Sequence, residues 1–278
     1  MDDTRSLYVI RDAAFGRDFT PKLVLVVLAL VLVAVDRRSQ RRWDYLWVFV
    51  TGTLLLGAAE AALAWQSVRD MPERVLLGRP LPLPASYLVQ GAAEGAFLAV
   101  AGLFVGDRLL VRDRRAGAVV LLVATMALAV LGTLRSAARL GASVGEVGSR
   151  RDVLSPGALL TLTAVAVLVA VFAWRRPQWR PRLAAMAGVV LLIASAWTLA
   201  QVAVGGRWVE VGAAGSYERA GAGLTAGVLV FDVLVEIVLA CLPFLVVPVM
   251  LRLLRDPRPL PSVAPAALAR PDAATASP

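Results

Sequence analysis

The sequence predicts an all-α integral membrane protein, a bundle of seven transmembrane helices with the N-terminus outside and the C-terminus cytoplasmic. Three observations carry this. Apolar residues make up 59% of the 278-residue chain and its mean hydropathy is +0.72, against roughly half apolar in a soluble domain. These residues gather in seven long runs, most near the roughly 20 residues needed to cross a bilayer. The segments between the runs alternate in charge, and arginines orient a membrane protein by collecting on the cytoplasmic side.

The first span, about residues 21–36, is strictly apolar only from Leu23 to Val35, and Lys22 and Arg37 can snorkel to opposite interfaces. It reads as a retained helix. The residues before it mix both charge signs, and DRRSQRR follows where a small-residue cleavage site would stand. Span 2 covers 44–66 and contains LLLGAAEAALAW, which places Glu60 in its outer half. The following outer segment holds RPLPLP, Arg79 to Pro84, an extended approach to span 3. Span 3, 85–106, repeats the tetrad in GAAEGAFLAV and contains Glu94. Span 4 is 116–135. Span 5, 157–174, opens on Ser155-Pro156, an N-cap followed by proline at the first helical position. Span 6, 183–204, carries Ser195, Thr198 and Gln201 at helical spacing. The Gly-rich outer loop 205–223 is expected to be mobile. Span 7, 224–251, contains Asp232, Glu236, Pro243 and Pro248. Residues 1–256 form one transmembrane domain in this reading, and 257–278 a disordered Pro/Ala-rich cytoplasmic tail.

The orientation follows from the connections at 36–43, 107–115 and 175–182, each with four arginines, and from the tail, with Arg252, Arg255, Arg258 and Arg270. With seven spans all four share one side, the cytoplasm. Trp43, Tyr45, Trp47, Trp174 and Trp179 are expected at that interface, and Trp65 and Trp208 at the outer one. The arginine bias looks like that of a GC-rich bacterial genome, so the plasma membrane of a bacterium is the expected location.

Composition excludes several chemistries. The chain has no histidine, which removes His metal ligands, His-based triads and the usual haem ligand. Cys241 is the only cysteine, so no internal disulfide or thiolate cluster can form. No folded basic domain is present to bind nucleic acid.

The candidate site is a set of intramembrane carboxylates. At 1.5 Å per residue, Glu60, Glu94, Asp232 and Glu236 lie roughly 9 to 18 Å inside the outer end of their spans. Thr53, Gly57 and Glu60 share a face of span 2, and Tyr87, Gln90, Gly91 and Glu94 share a face of span 3. Asp232 and Glu236 are i, i+4 neighbours. Small and polar residues mark helix contacts in membranes, so spans 2 and 3 should pack closely through Gly57 and Gly91. No basic residue stands at this depth in the spans. Only Arg135, Arg139 and Arg207, at outer ends of spans, could reach inward. Unpaired acids there imply protonation, a shared proton or a bound cation. The expected ligand-binding residues are therefore Glu60, Glu94, Asp232, Glu236, Gln90, Tyr87 and Gln201.

FDVLVEIV in span 7 resembles the seventh-helix pattern of microbial rhodopsins, which share the seven-span, N-outside topology. That pattern has an Asp followed four residues later by the retinal-binding lysine. Glu236 stands in the lysine's place, so the resemblance implies no retinal Schiff base.

Three functional classes fit the sequence. The leading one is a membrane protein whose outward-facing carboxylate pocket binds a proton, a metal cation such as a divalent ion, or a small cationic molecule, for transport or sensing. Sensing calls for a cytoplasmic protein partner. The second is an accessory membrane subunit that works through a membrane partner, its protonated acids bonding helix to helix. The third is an intramembrane enzyme with a carboxylate-held metal, for which no nucleophile–base pair stands out.

Overall fold

The computed structural model describes residues 6–40, 43–66, 68–70, 73–140, 147–213 and 216–255. Seven long helices run through it: α1 (Thr20–Gln40), α2 (Asp44–Trp65), α3 (Leu83–Leu109), α4 (Arg115–Leu140), α5 (Pro156–Arg175), α6 (Arg180–Ala203) and α7 (Ala222–Met250). Six of them, α2 to α7, are long and apolar enough to cross a membrane. The chain is a polytopic membrane protein. The tail expected to be disordered lies outside the described residues.

Helix α3 is the central rod. Every residue from Gly91 to Gly106 is buried, because apart from Glu94 this stretch is apolar on all sides and neighbours cover all of it. Its Val100, Leu103 and Val105 join Val48 of α2, Met186 and Ile193 of α6 and Leu245 of α7 in one core. By contrast α4 and α5 leave large apolar side chains outside, Val120 at 69% and Leu160 at 72% exposure, the surface expected toward lipid. Ser155 caps α5 as predicted, its Oγ accepting from the Ala158 amide at 3.3 Å with Pro156 in the first turn.

Two helices depart from α geometry. Gly91–Ala96 in α3 and Asp232–Leu239 in α7 are π-helical, with wider i→i+5 turns that often mark functional positions. Glu94 lies in the first, and Asp232 and Glu236 in the second. Nearer its C-terminal end α7 is also interrupted, at Leu242, before Pro243 starts the last segment. A ring at that position removes the backbone donor that would continue the ladder.

The all-α expectation does not extend to the connections at one end of the bundle. There β1 (Ser6–Asp12), β2 (Arg69–Asp70), β5 (Val147–Asp152), β6 (Arg207–Ala213) and β7 (Ser216–Arg219) form one sheet in the order β2-β5-β1-β6-β7. Its registered pairs are antiparallel, with Val9 opposite both Arg151 and Val209. The loop expected to be mobile, 205–223, thus contains the β6–β7 hairpin. The RPLPLP stretch begins as β4 (Arg79–Pro80), paired with β3 (Val75–Leu76). Leu77 and Gly78 take positive φ in the turn between them. Ile10 and Val209 are fully buried on the sheet. The interfacial belt differs too: Trp43, Trp47, Trp65 and Trp174 are exposed, whereas Trp179 and Trp208 are buried.

Candidate functional site

The site lies where the sheet meets the helices. Its base is the contact between α2 and α3. A Cβ on Gly91 would stand 2.2 Å from the Thr53 carbonyl oxygen and 2.9 Å from the Gly57 nitrogen. Only glycine permits that approach, so the expected close packing of the two GAAE tetrads is what the helices adopt. Gly52 repeats it one turn away, where an added Cβ would meet Ala96 Cα at 2.8 Å. The contact fixes α3 at the turn that presents Glu94.

Glu60, Glu94 and Asp232 are buried and Glu236 is partly buried, and each faces a cation. Arg11 of β1 donates from one Nη to both oxygens of Glu94, at 3.1 and 3.2 Å. Lys22 at the start of α1 stands 3.1 Å from the same carboxylate and donates to Gln90 Oε1. Arg151 of β5 bridges Asp232 and Glu236, and it also lies in the field of Glu60. Arg207 of β6 takes the other Asp232 oxygen and donates to Thr198 at 3.2 Å and Gln201 at 3.4 Å. The expectation that no basic residue reaches this depth is therefore overturned. Three of the four cations come from strands, and one from α1.

This geometry sorts the predicted residues. Glu60, Asp232 and Glu236 gather around Arg151, and Glu94 and Gln90 around Arg11 and Lys22. Gln201 is buried beside Arg207. Tyr87 stands at the edge, its ring 5.7 Å from the Arg74 guanidinium, which also faces Phe19 at 4.7 Å. Of the three arginines expected to reach inward, Arg207 does. Arg135 is exposed on α4, and the Arg139 side chain lies outside the described residues.

The strand arginines keep their charge. Burial alone would lower the Arg151 pKa, but Glu236, Asp232 and Glu60 raise it above the ordinary arginine value. Arg11 is raised in the same way, with Glu94 and then Asp232 outweighing burial. Burial dominates at Arg207 and brings it to about 10, with Asp232 opposing. All three stay cationic at neutral pH, so none of them takes up a proton that enters this network. Among the described residues no three acidic or sulfur side chains converge as metal ligands. Comparison with protein-family models, curated proteins and solved structures gives no match.

A second ionic cluster occupies the opposite end of the bundle. Asp107 of α3 accepts two bonds from Arg182 of α6, the Nε bond at 2.7 Å, and one from the Tyr45 hydroxyl at 2.8 Å. Asp36 of α1 pairs with Arg108 at 3.9 Å. Between the two clusters α1 and α3 carry no polar side chain, from Leu23 to Val35 and from Gly95 to Gly106.

Proposed function

We propose that this chain is a seven-span protein of the bacterial plasma membrane, with its sheet outside, that senses protons through the ion-pair network joining sheet to helices. The seventh span is α1. Its Lys22 pairs with Glu94 and its Asp36 with Arg108, fourteen residues apart on both helices, which is about 21 Å of parallel travel. A helix in that register runs the same depth as α3. The arginine-rich connections at the other end favour the cytoplasm for that side.

The observation that carries the reading is the charge pairing: Glu60, Glu94, Asp232 and Glu236 face Arg11, Lys22, Arg151 and Arg207. A metal ion or organic cation would have to displace these side chains. A proton needs no room. Added to a carboxylate oxygen, it removes the negative charge that holds the facing strand arginine. The apolar layer between the clusters supports sensing over transport, because it offers an ion no polar groups along α1 or α3. Three of the acids sit on π-helical turns, where a change of charge can alter the local winding.

The test is hydrogen–deuterium exchange on the protein in nanodiscs across a pH series. With exchange corrected for its intrinsic pH dependence, acidification is expected to lower protection in β1, β5 and β6 before it does so in α4 or α5. Glu236→Gln is expected to show raised β5 exchange already at neutral pH. Strands whose exchange ignores both pH and the substitution would sink the proposal. Proton flux into proteoliposomes would replace sensing with transport. An accessory-subunit role is favoured by the balanced charges, since buried pairs can serve specificity alone. It predicts that swapping Arg151 and Glu236 for an apolar pair leaves cellular activity intact.

A further inference from the structure

Two connections at the end of the bundle opposite the sheet share an unusual construction. Each is a 3₁₀ turn followed at once by an arginine that starts the next helix: Arg112–Arg114 before Arg115, and Pro177–Trp179 before Arg180. In both, the Nε of that arginine donates back to a carbonyl near the end of the preceding helix. Arg115 bonds the Leu109 oxygen at 2.9 Å and Arg180 bonds the Ala173 oxygen at 2.7 Å. The bond fixes the guanidinium and leaves its outer edge for a further partner.

The turns are clamped side by side. Asp107 and Arg182 bridge the end of α3 to the start of α6. A Cβ on Gly106 would stand 3.1 Å from Met186 N and Ala185 C, so the two helices touch there. Arg112, Arg114, Arg115, Arg175, Arg176 and Arg180 are all exposed on these turns, against one exposed acid, Asp113. Trp174, 74% exposed, stands immediately beside them, and tryptophan at a helix end marks headgroup depth.

We infer that this paired turn is a binding site for an anionic phospholipid carrying two phosphates, one at Arg115 and one at Arg180. Two planar forks, each tied to a helix end, offer one bidentate contact to each of two phosphates. Arginine engages phosphate oxygens through parallel N–H bonds, which a mobile lysine does not. Basic clusters between helix ends on one side of a membrane recognise such headgroups. The inference concerns the end away from the carboxylate network and stands without the sensing proposal.

The experiment is native mass spectrometry of the full chain with diphosphatidylglycerol, phosphatidylglycerol or phosphatidylcholine, and with free glycerophosphate. Retention of diphosphatidylglycerol above the single-phosphate lipid, and no retention of phosphatidylcholine or glycerophosphate, is expected. Arg115→Gln/Arg180→Gln should weaken diphosphatidylglycerol at least about 100-fold, from the loss of a charge-assisted hydrogen bond at each phosphate. The control Arg37→Gln/Arg38→Gln removes equal charge from the same end and should weaken it by no more than about 30-fold, the diffuse effect of two charges near a surface. Equal losses in the two variants would reduce the effect to diffuse charge and overturn the site, as would equal retention of all three lipids. Arg115→Lys/Arg180→Lys keeps charge without the fork; full retention there would also overturn it. Circular dichroism of each variant separates loss of lipid from loss of fold.

Discussion

The two ends of the bundle use the same chemistry by different means. At the end opposite the sheet, Asp107, Arg182 and Tyr45 meet because helix termini meet, and the Asp107 and Arg182 side chains keep 22% and 12% exposure. At the sheet end Asp232 is fully buried, and its partners Arg151 and Arg207 arrive on strands from outside the helical layer. An ion pair near water is worth little. A buried one is held in place by the penalty of leaving either partner alone. The sheet-end network therefore constrains the structure more, and a proton added to Asp232 leaves the buried Arg207 unmatched.

The sharpest way to break this comparison is to remove one cation at each end. Arg151→Met leaves Asp232, Glu236 and Glu60 without their shared partner and is expected to lower stability by about 3–5 kcal/mol. Arg182→Met should cost less than half of that, since Asp107 remains partly solvated. Unfolding midpoints of the two variants in one detergent check both, and equal losses would erase the distinction between the ends. Next in size is Gly91→Ala, about 1–3 kcal/mol by overpacking against Thr53 and Gly57. Because it displaces the π-helical turn, it should also raise exchange at β1 through Glu94 and Arg11. A stability loss confined to α2 and α3 would uncouple helix packing from the sheet. The smallest effect is expected from Tyr45→Phe, which deletes one hydroxyl donated to Asp107 and should cost about 0.5–1.5 kcal/mol. It should leave sheet exchange unchanged at every pH. A change there would link the two ends through the apolar layer and would identify the route of a signal.

Much of this arrangement was legible along the chain. Hydropathy is a local sum, so the helices α2 to α7 follow from composition in windows of about twenty residues. The positions of Glu60, Glu94, Asp232 and Glu236 within them follow from the same windows, as does the glycine contact behind Glu94. Arg207 was within reach because it stands six residues past Gln201, at the end of a span. Arg11 and Arg151 were not, because each lies in a short segment outside the long apolar runs that gives no depth of its own. A signal did exist in SLYVIRD and RWVEVGA, short runs rich in the β-branched and aromatic residues that favour strands.

By itself, then, the sequence determined which segments are helical and apolar, and which acids those segments carry inward. Only the tertiary structure decided what the acids face. Pairing Val9 with Arg151 and Val209 joins segments more than a hundred residues apart in the chain. Backbone hydrogen bonds formed across that separation have no counterpart in any local window. Those bonds fix the strands over the ends of the helices and aim Arg11, Arg151 and Arg207 at the carboxylates. A set of acids that reads as four unmatched charges along the chain is, in the folded molecule, a network of matched pairs.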